Sequence, residues 1–287
     1  MAEKYPWNLL QLVLSKEDRV ISITSPLEMT SGLFFCHDWF PKPGILGGIS
    51  MSLSEEMIKE ARPYLVASEK HPFVQGIITG KLTPAQLRYY DEQDIAFEYN
   101  EVAVISALIN NSTTTDQALL FQKRLSLQLT MLRDWLKREP NDMTHDWASL
   151  KQIKIQPINQ LYRQHMVGTI ATNGVLQILP SFAAGEWLYI ELGKYMQNQA
   201  RVNDEPFHSF LTLANQDFLG PDGFIERFFN IIDQEAKTAS PQEQNQAKDT
   251  FLKSCLLEWY FWDAAYKQTT WDDWRTVAPE GQDQPNL

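Results

Sequence analysis

The sequence predicts an all-α fold, a bundle of helices preceded by an irregular N-terminal extension. Three observations carry this. Apolar residues recur at helical spacing through most of residues 53–275. Strand-like alternation is confined almost entirely to the first fifty residues. The breaks between periodic segments consist of helix-ending chemistry, and no internal repeat intervenes.

Taken in order, Ser54 reads as the cap of the first helix, with Met57 in its first turn. His71 precedes Pro72 at a second helix start and is expected to be structural, and Gly80 ends that short helix. Thr83 caps the next one, with Pro84 at the first helical position and Gln86 completing a capping box. Helical spacing then marks Leu87–Ile109, Asp116–Arg138, Ile158–Ala171, Gly174–Gln197, Gly223–Ala236 and Gln242–Tyr266. The stops are Asn110-Asn111-Ser112, Pro140-Asn141-Asp142, Asn173-Gly174, Gly220-Pro221-Asp222-Gly223 and Ser240-Pro241. Pro180 is expected to kink or divide its segment. Three regions follow: an extension and linker over 1–52, a helical domain over 53–275 and a flexible tail over 276–287. Val20-Ile21-Ser22-Ile23 alternates like a short strand, Phe40 to Gly48 reads as a linker, and the aromatic stretch Leu33–Phe40 is expected to pack on the bundle.

At 287 residues and 44% hydrophobic, the chain can bury a substantial core. A net charge of −11 argues against nucleic-acid binding, which leaves a basic footprint. Cys36 and Cys255 are too few for a disulfide scaffold and suit a reducing cytoplasm. The start, Met1 to Pro6, lacks the features of a signal peptide, and no apolar run is long enough to span a bilayer. The expectation is a soluble cytoplasmic protein with a small-molecule substrate and neither nucleic acid nor membrane as partner.

The helix after Pro84 places Asp94, Phe97, Glu98 and Glu101 along one face, where a carboxylate-lined wall beside an aromatic could form part of a site. The segment His71-Pro72-Phe73-Val74-Gln75-Gly76, with Gly80-Lys81-Leu82-Thr83-Pro84, Tyr89-Tyr90 and Gln93-Asp94, resembles the opening of the TenA/thiaminase II family. Asn159 to Arg163, Glu186-Trp187-Leu188-Tyr189-Ile190-Glu191 and Glu258 to Tyr266 continue the likeness in the same order, over about residues 54–268. Each motif is weak, but the set is fairly specific.

The resemblance implies a haem-oxygenase-like helical fold, assembly as dimers or tetramers, and hydrolysis of aminopyrimidines related to thiamin. By the same likeness, Asp94 matches the aspartate that holds the aminopyrimidine, Tyr162 and Tyr189 match ring-orienting tyrosines, and Glu258 matches the proton-transferring glutamate. The chemistry suits those residue types: a carboxylate accepts from an exocyclic amine, a buried glutamate carries a proton, and aromatic faces hold a flat ring.

The departures point to one branch of the family. Gly185 stands where most members carry a nucleophilic cysteine, four residues before the matching tyrosine. Glu186 occupies the position of the glutamate that marks the E-type branch, which lacks that cysteine. Phe97 replaces a tyrosine, and Ala214 stands where another pocket tyrosine is usual. The implied activity is hydrolysis of amino- or formylamino-pyrimidines without a cysteine adduct and without a cofactor. Glu258 and Glu186 are the catalytic candidates; Asp94, Phe97, Tyr162, Tyr189 and Glu101 are the substrate-binding ones.

Several residues have a plainer reading. Glu186 could be a solvated helix residue, and Glu98 with Glu101 are expected to face solvent or a subunit interface. If their helix instead presents its usual face, they add negative charge to the pocket and favour a cationic substrate, a metal ion or a reaction other than pyrimidine hydrolysis. Cys255 shares a helix face with Glu258 and is expected to be a buried inert thiol. His37, His71, His145, His165 and His208 lack the paired spacing of metal sites, so no metal is expected. The alternatives are the same scaffold redirected to a lyase, cyclase or isomerase step, or a non-catalytic ligand-binding regulator.

Overall fold

A computed structural model describes residues 51–136, 147–172, 174–199 and 222–274, and all regular structure within them is helical. The helices are α1 (Leu53–Glu69), α2 (Pro72–Thr79), α3 (Pro84–Asn111), α4 (Thr115–Leu136), α5 (Pro157–Ile170), α6 (Val175–Gln199), α7 (Phe224–Ala236), α8 (Pro241–Lys267) and the short α9 (Trp271–Trp274), with a 3₁₀ turn at Ser149–Gln152. The expected strand at Val20–Ile23, the linker, the Leu33–Phe40 stretch, Ala214 and the tail all lie outside the described residues.

Helix entries follow capping chemistry. Thr83 accepts from the Gln86 amide while the Gln86 side chain bonds the Thr83 amide, and Pro84 sits at the first position. Ser240 and Glu243 repeat the device at α8. Gly80 closes α2 with φ 63°, in the left-handed region that a side chain would strain. One cap differs from expectation: the cap of α1 is Ser52, paired with Glu55 in a capping box. Ser54 lies two residues further on, within the first turn, and has another task. Its amide and hydroxyl both donate to Asp233 of α7, at 2.8 and 2.7 Å.

Pro180 does not divide its segment, for α6 runs unbroken from Val175 to Gln199. Proline removes a single hydrogen bond, and burial of Leu179, Phe182, Ala183, Ala184 and Leu188 around it outweighs that loss. Helices α6 and α8 form the most extensive contact, α3 packs along α4, and α5 bridges α3, α6 and α8. A large apolar core joins these faces, including Phe97, Tyr162, Phe182, Trp187, Phe251, Phe261 and Trp262. Along α8 the buried stripe is Phe251, Cys255, Glu258, Trp262 and Ala265, so one carboxylate sits in an otherwise apolar row. Along α4 the buried row holds Gln117, Phe121, Arg124, Gln128 and Leu132. These polar intrusions into apolar stripes meet between α3, α4, α5, α6 and α8.

Candidate functional site

Glu258, 4% exposed, lies at the centre of this meeting point. The Tyr162 hydroxyl, carried by α5, donates to its Oε1 at 2.9 Å. Burial pushes the Glu258 carboxyl up to about 8, against the lowering bond from Tyr162 and with help from the charge of Glu98. The group therefore carries a proton near neutral pH. Phe97 packs on Tyr162 with ring centroids 4.6 Å apart, and Phe261 lies 5.9 Å from Phe97. Gly185 of α6 completes the enclosure. A Cβ there would stand 3.0 Å from Glu258 Oε1 and 3.7 Å from the Tyr162 hydroxyl, so glycine lets the carboxyl rest against the helix backbone.

One turn along α6, the Tyr189 hydroxyl shares a 2.8 Å hydrogen bond with that of Tyr90 and accepts from Trp262 Nε1 at 3.3 Å. Tyr90 in turn bonds the Asp94 carboxyl one turn ahead on α3. Burial raises Asp94 well above the usual carboxylate range, and the charges of Glu98, Asp91 and Glu258 add to the shift. A small cleft lined by Val74, Ile77, Tyr189, Leu192, Met196 and Trp262 opens beside Tyr189. Tyr90 has a position in this network that sequence reading did not assign, although its place one turn before Asp94 on the same face was a signal.

Glu98 and Glu101 do not face solvent. Glu98 accepts from the amide of Gln128, which also bonds the Glu98 carbonyl at 3.0 Å. The side chain of Glu101 is 13% exposed, with its Oε2 3.9 Å from Arg124 Nη2. Both carboxyls are raised by burial; the charge of Glu98 adds to the shift at Glu101, and Arg124 opposes it at both. Nor is Glu186 a solvated residue. Its side chain is 10% exposed, and Oε1 accepts from both Nε and Nη2 of Arg124. Nη1 of Arg124 bonds Gln128 Oε1 at 2.7 Å, and the guanidinium lies over Phe182, 5.1 Å from its centroid. The expectation of solvent exposure for Glu98 and Glu101 fails because a cation, Arg124, accompanies these carboxylates into the interior. Arg124, itself buried in the α4 stripe, was the missed residue.

Of the five histidines, His71 and His165 lie among the described residues, and neither joins the hydrogen bonds of this cluster. His71 caps α2, accepting from the Phe73 amide at Nδ1 and setting its ring edge against Trp259, as its position before Pro72 implied. His165 pairs with Ser254. Cys255 is fully buried, and burial followed by the charge of Glu258 pushes its thiol well up, which denies it thiolate character. Among the described residues, no three His, Cys, Asp or Glu side chains are grouped so as to hold a metal ion. The structure thus brings all seven sequence-assigned site residues toward one interior region. It groups Glu258 with Tyr162 and Phe97, Asp94 with Tyr90 and Tyr189, and sets Glu186 and Glu101 around Arg124, which hydrogen-bonds only the first of that pair.

A family model described as TENA/THI-4/PQQC matches residues 58–268, from within α1 to the end of α8. The aminopyrimidine aminohydrolase of Halalkalibacterium halodurans is 24% identical over 228 residues, covering 77% of this chain and 99% of that protein. Its namesake in Helicobacter pylori is 22% identical, over 76% and 100%. Among solved structures, the TenA homologue of P. horikoshii OT3 superposes with a TM-score of 0.63 at 15% identity, over 76% of this chain and 99% of that one. A Shewanella denitrificans domain described as having a haem-oxygenase-like fold gives a TM-score of 0.54 at 13% identity, over 79% and 97%. The fold is haem-oxygenase-like, and the chain belongs to the TENA/THI-4/PQQC family.

Proposed function

We propose that the protein is a hydrolase that cleaves the C–N bond of amino- or formylamino-pyrimidines related to thiamin, without a cysteine nucleophile and without a cofactor. The observation that carries this reading is the Tyr162–Glu258 pair seated directly on Gly185, with a second carboxylate, Glu186, held separately by Arg124. Relatives named aminopyrimidine aminohydrolases over nearly their whole length support the substrate class.

In this reading Asp94 accepts from the exocyclic amine of the pyrimidine, and Phe97, Tyr162 and Tyr189 hold its ring. For an aminomethyl substrate, the C–N bond breaks and the leaving nitrogen keeps its electron pair. That nitrogen takes the proton of Glu258 and departs as ammonia. Water oriented by Glu186 forms the new C–O bond and gives its proton to that carboxylate. Substrate and water yield the hydroxymethyl product and ammonia, and solvent exchange returns the proton from Glu186 to Glu258. The two glutamates differ because their environments differ: one is buried against a phenol, the other is held by a guanidinium.

The family resemblance also supports a homodimer or tetramer, and Leu161 and Val167 of α5 with Leu256 and Tyr260 of α8 leave apolar surface for such an assembly. Sedimentation velocity tests it. Sparse cysteine supports a cytoplasmic home. No helix among the described residues is long and apolar enough to cross a membrane. Incubation with 4-amino-5-aminomethyl-2-methylpyrimidine should release ammonia; an inert protein that binds no pyrimidine contradicts the reading. The interior placement of Glu98 and Glu101 favours a second reading, the scaffold redirected to a lyase, cyclase or isomerase step on a cationic substrate. Stabilisation against heat by a cationic ligand, without ammonia release from aminopyrimidines, would select it.

A further inference from the structure

Asp94, Glu98, Glu101, Glu186 and Glu258 interact electrostatically across one interior region, into which α4 delivers the guanidinium of Arg124. That guanidinium is not shared evenly. Nε and Nη2 converge on a single oxygen, Glu186 Oε1. Glu101 Oε2, at 3.9 Å from Nη2, lies beyond hydrogen-bond reach. Glu98 is served by Gln128, one turn further along α4, and Glu258 by the phenol of Tyr162.

The arrangement is built to orient. Nη1 is tied to Gln128 Oε1, the guanidinium plane is laid over Phe182, and the side chain is 4% exposed. A planar, donor-rich group locked on three sides fixes the carboxylate that it binds. Stability alone is a poor reason for such a pair, since a buried ion pair seldom outperforms well-packed apolar residues. Both guanidinium bonds fall on Oε1, and among the described residues Glu186 Oε2 accepts none.

We propose that Arg124 is a positioning residue for the reaction proposed above: from α4 it fixes the orientation of the Glu186 carboxylate, with Oε2 available to a water molecule. Its catalytic consequence rests on the hydrolase reading; the contact itself does not.

The test compares R124K, R124Q, E186Q and the double variant R124Q/E186Q by unfolding midpoint, ammonia-release kinetics and the arginine Nε–H resonances of the ¹⁵N-labelled protein. R124K keeps the buried charge but not the two-pronged grip. It should hold an unfolding midpoint near that of the wild type while kcat falls about tenfold or more and KM stays within about threefold. R124Q should lose more of both, and the double variant should recover the midpoint without recovering kcat. Wild-type kcat in either R124K or the double variant would overturn the proposal. The Arg124 Nε–H resonance, identified by its loss in R124K, should move in E186Q and far less in E101Q. A resonance unmoved in E186Q overturns the proposal whether or not the protein cleaves aminopyrimidines. A wild type that releases no ammonia, yet shows that shift, removes the hydrolase reading and upholds the Arg124–Glu186 assignment.

Discussion

Gly185 shows how much one residue decides here. In a helix interior glycine costs about 1 kcal/mol relative to alanine, so its use in mid-α6 calls for a local reason. The reason is Glu258 Oε1, which would lie only 3.0 Å from a Cβ built at this position and would have to give way by a few tenths of an ångström. Gly185→Ala should therefore leave the unfolding midpoint unchanged or slightly raised, yet lower turnover about tenfold by displacing the carboxyl a few tenths of an ångström. Undiminished turnover in that variant would remove the packing argument. At this scale the sequence was informative where a polar residue interrupts an apolar stripe: Glu258 follows Phe251 and Cys255 and precedes Trp262 at helical spacing. The same signal stands at Arg124, between Phe121 and Gln128, but it is weak because arginine on a helix is usually solvated. Without its cation, the sequence leaves open whether Glu98 and Glu101 face the interior.

Helices announced themselves more clearly than side-chain partners did. Capping boxes at Thr83 and Ser240, the left-handed turn at Gly80 and the proline entries are local chemistry, legible wherever they occur. The start of α1 was less legible, since Ser52 and Ser54 both satisfy a cap pattern and only tertiary contact separates them. Ser54 reaches across to Asp233, which takes two further donors from the first turn of α1 and places a negative charge at its positive end. Asp233→Ala should cost about 1–2 kcal/mol in urea unfolding, the ordinary range for losing a helix cap. Because Asp233 takes no part in the Glu258 network, turnover should hold. An unchanged unfolding midpoint would mean that Ser52 and Glu55 cap α1 sufficiently by themselves. Pro180 teaches the converse lesson, that a strong local breaker yields when the surrounding helix is buried on nearly every side.

Over the whole molecule, several acidic groups are withheld from water, and stability must register this. Glu258 keeps its proton to about 8 when folded and to 4.5 when unfolded. Between those values the folded chain binds more protons, so stability is fully present below 4.5 and declines as pH rises toward 8, by at most about 1.4 kcal/mol per unit for this group. Asp94, Glu98 and Glu101 are shifted in the same direction. His71 and His165 are shifted downward by burial and act oppositely below their ordinary 6.5, so the interval from 6.5 to 8 is the cleaner one. The unfolding midpoint should fall by several degrees across it, and Glu258→Gln should flatten that slope; a midpoint that rises with pH there would contradict the assignment. The bundle, its order of helices and its family likeness were legible because periodicity and caps are written along the chain. The charge balance of the interior was not, because it depends on α4 meeting α3 and α6 in space. The central claim is that Glu258 is the proton-carrying group of an aminopyrimidine-cleaving site. Ammonia release from 4-amino-5-aminomethyl-2-methylpyrimidine, measured across pH in the wild type and in Glu258→Gln, tests it most directly. Wild-type turnover should decline above about pH 8, and the variant should fold normally while losing at least about 100-fold in kcat; wild-type turnover in Glu258→Gln would contradict it.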